Sequence, residues 1–146
     1  MSITVINDND KYEVNVKKVR DVIALVLKGE KHPKAEVSIK FCDNNYMQKL
    51  NKQYFNRNNP TDVISFPAEE SKYLGDILVS SEMAEQRAPE FDNSFQEELI
   101  LYIIHGVLHL VGFNDINPFE RELMQEKEEY YLGEIKDKKD VIINSR

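Results

Sequence analysis

Residues 99–111, LILYIIHGVLHLV, constrain this chain more than any other stretch. Leu99, Ile100, Ile103, Ile104, Val107, Leu108 and Val111 recur at the helical period and give one helix a wide apolar face. Such a helix has to cross the centre of a fold, with the other elements wrapped around it. Ser94 opens it, and Glu97 three residues on completes a capping box. Gly112 closes it in a left-handed conformation. The run stays short of the ~18 consecutive apolar residues of a membrane span. At 146 residues the chain can bury such a helix without staples.

The remaining elements follow from period and punctuation. Residues 2–7 and 35–42 alternate as strands, and residues 16–27 repeat as a helix that Gly29 closes. Asp43 caps a helix through Tyr54, and a polar loop over residues 56–60 leads into the strand TDVISF. A loop over residues 67–72 precedes the strand YLGDILVS, with Gly75 as a bulge. Ser80 or Ser81 caps a helix through Arg87 that stops near Pro89, and a last helix runs from Pro118 to about Leu132. The tail KDKKDVIINSR reads as loose. The expected fold is α+β: a single domain over residues 1–146, with a three- to four-stranded mixed sheet, about five helices, and the histidine-bearing helix central.

Composition narrows the setting. One cysteine, Cys42, allows no intrachain disulfide and reads as a small buried hydrophobe at a strand end. No basic segment followed by an apolar one opens the chain, so no signal peptide is expected, and the single cysteine makes a reducing cytoplasm the expected location. The net charge of −7 argues against a nucleic-acid binder, but it conceals a split. Residues 11–60 hold eleven Lys/Arg against five Asp/Glu, and residues 61–135 hold four against seventeen. A basic half beside an acidic half can set a phosphate-attracting surface next to a carboxylate-rich site, or be two solvated faces.

The central helix also carries His105 and His109, four residues apart on one side. A lone histidine there would be a core residue bonded to a backbone carbonyl. Two, followed by Gly112 and then Asp115, have the spacing H-x-x-x-H-x-x-G-x-x-D of a three-ligand metal site with a position left open for water. Zinc, one ion per chain, is the expected cofactor, with another divalent transition metal as the variant. Metalloproteases with this spacing place a glutamate directly after the first histidine, where this chain has Gly106, so a peptidase reading lacks its base. A two-His-one-carboxylate iron oxygenase has the same ligand set but not both histidines on one helix. His32, before Pro33, reads as plain surface.

Three blocks resemble the YbeY family of rRNA maturation factors, which are metal-dependent endoribonucleases. They are LNKQYFNRNNPTDVISFP at residues 50–67, LGDILVS at residues 74–80, and HGVLHLVGFND with Glu120, Met124 and Glu128 downstream. The family usually has a third histidine where this chain has Asp115, and an arginine where it has Phe55. The resemblance implies a single-strand-specific endoribonuclease in rRNA maturation and ribosome quality control, acting on an rRNA precursor and meeting ribosomal particles as a monomer away from membranes. It implies Arg57, the nearest cation to Phe55, as the catalytic guanidinium. Lys49 and Lys52 would hold the RNA backbone, and Asp62 and Asp76 would orient ligands. Glu98, two turns before His105, reads as solvated. The alternatives are a metalloprotease-like hydrolase and a ribosome assembly factor whose metal is chiefly structural.

Overall fold

The computed structural model describes residues 2–68, 70 and 72–145. In chain order the elements are β1 (Ile3–Asn7), β2 (Tyr12–Val14), α1 (Val16–Gly29), β3 (Glu36–Cys42), α2 (Asn44–Phe55), β4 (Val63–Pro67) and β5 (Tyr73–Ser80). Then come α3 (Ser81–Arg87), a 3-10 turn at Ala88–Phe91, α4 (Phe95–Leu110), α5 (Pro118–Glu134) and β6 (Ile142–Ser145). Within the loop expected over residues 67–72, Glu69 and Ser71 lie outside the described residues.

The strands form a four-stranded mixed sheet in the order β1-β3-β5-β4. The first three are parallel and β4 is an antiparallel edge. Strand alternation sends Val37, Ile39, Phe41, Ile77 and Val79 to the face that α1 and α4 cover. Cys42, Ile64 and Leu78 turn to the other face and meet Met47 of α2. The apolar run is the hub. α4 packs against α1, α3, α5, β4 and β5, and Leu99, Ile100, Ile103, Ile104, Val107 and Leu108 are fully buried. The α+β architecture and the central helix are those expected from the periodicity.

Side-chain caps fix the helix starts. Asp43, Ser80 and Ser94 each accept a backbone N–H at their helix N-termini, and Ser94 with Glu97 forms the full capping box. Gly75, at φ 143°, lies where the pairing of β5 with β3 slips by one residue, so the bulge is present.

Gly29 ends α1 as expected, as its last helical residue; the positive φ falls on Lys31, and a Cβ at Gly29 would strike the Tyr131 ring. Two expectations change. The tail is not loose: β6 pairs with β2, and Val141 and Ile142 are buried in the core. Arg146, at its end, lies outside the described residues. Glu98 is buried, at 6 % exposure, because its side of α4 faces the loop before the helix, where Asn93 Nδ2 donates to its Oε1 at 2.9 Å.

Candidate metal centre

α4 ends in a turn that the backbone spells out. The Gly112 N–H donates to His109 O at 3.1 Å, and the Phe113 N–H reaches back to Leu108 O at 3.0 Å. With Gly112 at φ 110°, this is the Schellman closure of a helix. It reverses the chain so that Asp115 returns beneath the helix end. Arg121 of α5 holds that loop by donating to the carbonyls of Asp115 and Ile116 at 3.3 and 3.4 Å.

His105, His109 and Asp115 therefore converge. The two histidine Nε2 atoms are 2.9 Å apart, and Asp115 Oδ2 lies 3.7 Å from His105 Nε2 and 3.9 Å from His109 Nε2. Zinc bonds of about 2.0–2.1 Å in tetrahedral geometry separate donor atoms by about 3.3 Å, a value these three edges bracket. The donor set fits a divalent transition metal: two imidazoles and one carboxylate, with a side left open toward a cleft.

The imidazoles are oriented from behind. His105 Nδ1 pairs with Glu128 Oε1 at 2.8 Å, which leaves its Nε2 facing Asp115. Burial pulls the His105 pKa down, but the hydrogen bond and charge of Glu128, with Asp115 and Asp62 behind it, outweigh burial and leave it above its ordinary value. His109 goes the other way. Burial and the neighbouring His105 push its pKa below the ordinary value, while the Phe113 backbone holds the ring. A neutral imidazole is the form that ligates a metal.

The centre lies between two clefts that share Val63. One, of ≈ 450 Å³, holds Arg57, Phe55 and Thr61 with His109 and Asp115. The other, of ≈ 520 Å³, holds His105 and Glu128 with Arg87, Glu98 and Tyr102. Arg57 thus reaches the same cleft as two of the three donor residues. Lys49 and Lys52 stand exposed on α2 and line neither cleft. Asp62 bonds the Val63 N–H and pairs with Arg87 at 3.5 Å, touching no donor residue. Asp76 alternates to the far face of the sheet, where it bonds Tyr73 beside Lys40 and Tyr46. It is not near the centre. Glu128 is the orienting carboxylate that spacing alone did not single out. Its only sequence signal was its place in the third block.

Gly106 has a packing reason. A Cβ there would lie 2.6 Å from Ile77 Cγ2, so α4 approaches β5 more closely than any side chain at 106 would allow. Ser65 Oγ also donates to the Gly106 carbonyl at 3.0 Å and ties β4 to the helix.

Comparison with known proteins agrees with this architecture. The chain matches the family described as "Endoribonuclease YbeY" over residues 4–136. It is 37 % identical to the Endoribonuclease YbeY of Petrotoga mobilis over 95 % of this chain and 99 % of that one. It is 39 % identical to that of Carboxydothermus hydrogenoformans over 86 % and 88 %. A Thermotoga maritima protein known from its solution structure superposes with a TM-score of 0.66 at 28 % identity, covering 90 % of this chain and 87 % of that one.

Proposed function

The chain belongs to the YbeY family of endoribonucleases, metal-dependent enzymes acting on RNA, and on that footing we propose that it cleaves single-stranded RNA at the centre formed by His105, His109 and Asp115. Its place is rRNA maturation and ribosome quality control in the cytoplasm, with the rRNA precursor as substrate and ribosomal particles as partners. Residues 1–146 act as one domain and as a monomer. Among the described residues no helix is long and apolar enough to cross a membrane.

The observation that carries the reading is the convergence of three donor atoms, all within 4.8 Å of one another, at a cleft that also holds Arg57. His105 and His109 through Nε2 and Asp115 through Oδ2 would hold one zinc ion. When bound, the ion supplies Lewis acidity to the phosphodiester and to water, so the chemistry needs no glutamate at position 106. Glu128 keeps His105 in the tautomer that points Nε2 at the centre. Arg57 presents a guanidinium to the phosphate oxygens, where negative charge grows during cleavage. Lys49 and Lys52 extend the positive surface along α2 and steer the RNA backbone.

The test is cleavage of single-stranded and duplex RNA by zinc-loaded protein, with chelator, His109→Ala and Arg57→Ala as controls. We expect single-strand cleavage that chelator and His109→Ala abolish and that Arg57→Ala slows by about 100-fold or more. Cleavage that survives both chelator and His109→Ala would reject the centre.

A further inference from the structure

The two clefts beside the centre differ in chemistry. The cleft of Arg57 sets that guanidinium against a single carboxylate, the donor Asp115, and is the one suited to the sugar–phosphate backbone. The other is lined by Asp62, Glu98, Glu128 and Glu129, and its one cation, Arg87, is already paired with Asp62. A phosphate would be repelled from it. A group presenting N–H donors would not.

At its floor, Tyr102 is 6 % exposed, and its hydroxyl is buried beside the Glu98 carboxyl but makes no hydrogen bond of good geometry to it or to any other described residue. A buried hydroxyl left unpaired costs free energy, and a ligand entering the cleft can satisfy it. Glu98 is equally buried, held by Asn93, and faces the same space. Phe91 stands at the rim with 61 % of its surface exposed, an open aromatic face. A polar floor, an acidic wall and a bare aromatic at the mouth are what a splayed-out nucleobase needs.

We infer that the cleft of Tyr102, Glu98 and Phe91 is a base-specific subsite that takes the guanine next to the scissile phosphate. The strand's backbone follows the Arg57 cleft to the metal centre, and the base beside it turns past His105 into the acidic one. An ionised carboxylate only accepts hydrogen bonds, and guanine alone among the four bases offers two adjacent donors, N1–H and the 2-amino group, on one edge. The Tyr102 hydroxyl donates to an acceptor on the same ring, and Phe91 stacks on it. This rests on the proposed RNA reading, but its test does not depend on turnover.

Binding of GMP, AMP, CMP and UMP to the zinc-loaded full chain, followed by NMR or calorimetry, separates base from phosphate, because the phosphate is common to all four. GMP is expected to bind at least 5-fold more tightly than the others. Tyr102→Phe should reduce that preference. Glu98→Gln should turn it toward AMP, because a carboxamide donates as well as accepts and matches adenine. A merely structural role for Glu98 would not change which base is preferred. Cleavage of oligonucleotides with each base at the flanking position supplies the second readout. Equal binding of all four nucleotides, or a guanine preference that neither substitution alters, would overturn the subsite even if RNA is cleaved. A guanine preference in a protein that cleaves no RNA would sustain the subsite and reject the nuclease reading.

Discussion

Asp115 is the most exposed of the three donors, with 49 % of its side chain open to solvent, and it hangs on a loop rather than a helix. Asp115→Ala should therefore weaken zinc binding without unfolding the chain. The loss should exceed the ~10–100-fold that follows removal of an outer partner such as Glu128. Asp115→His should restore binding, because imidazole and carboxylate reach zinc at similar distances of about 2.0–2.2 Å. Competition with a chromophoric chelator measures all three, and wild-type affinity in the alanine variant would remove Asp115 from the ligand set. Gly106→Ala forces a methyl onto Ile77, a branched residue held in the sheet, and should cost about 1–3 kcal/mol in urea unfolding. Cys42 gives a pH signature. Burial pushes its thiol up from 9.0 to about 11, so the unfolded chain releases this proton first as pH rises. Its contribution is complete below about pH 9 and is lost as pH climbs through about 11. The stability difference between wild type and Cys42→Ala should accordingly shrink by about 2 kcal/mol across that window. Unfolding curves at pH 8 and pH 11 would show it, and a difference independent of pH would refute it.

At the scale of elements, the two ends of α4 divide stability from function. The Ser94–Glu97 box lies at the far end from the histidines. Ser94→Ala should cost about 1 kcal/mol and leave zinc affinity unchanged. Gly112 has open space around it, so Gly112→Ala strains only the backbone at φ 110°. It should lower zinc affinity more than its modest effect on stability would suggest, because the turn it forms carries Asp115. The caps at Asp43, Ser80 and Ser94 were legible because a short polar side chain before an apolar period acts within four residues. The β2–β6 ribbon was not. YEV and IINS are too short to show a period, and each becomes a strand only against a partner more than 120 residues away. Ile142→Ala should cost about 2–5 kcal/mol if that ribbon closes the core as it does here, and a neutral result would place the tail outside it.

At the scale of the molecule, the charge split takes on a geometry, with Arg57 from the basic half on one side of the centre and four carboxylates from the acidic half on the other. Reversing Lys49, Lys52 and Arg57 to glutamate should abolish RNA binding, and wild-type affinity should fall steeply with salt as counterions are released. An affinity unmoved by the triple reversal would make the split incidental. Whatever acts within a few turns of helix can be read from residue spacing. The 3.6-residue period puts His105 and His109 on one stripe and buries the opposite one. A glycine three residues after His109 sends Asp115 back toward them. These depend on covalent geometry and local hydrogen bonds, so spacing is enough to read them. Tertiary structure alone decided what surrounds that stripe. Glu128 reaches His105 because α5 folds back along α4, Arg57 arrives with the chain that leads into β4, and Asp76 is carried away by the pleat of β5. Glu98 leaves solvent because Asn93 and the 3-10 turn close over it. Each of these is a packing of elements distant in sequence, whose free energy comes from area buried between them and leaves no periodic trace in either one.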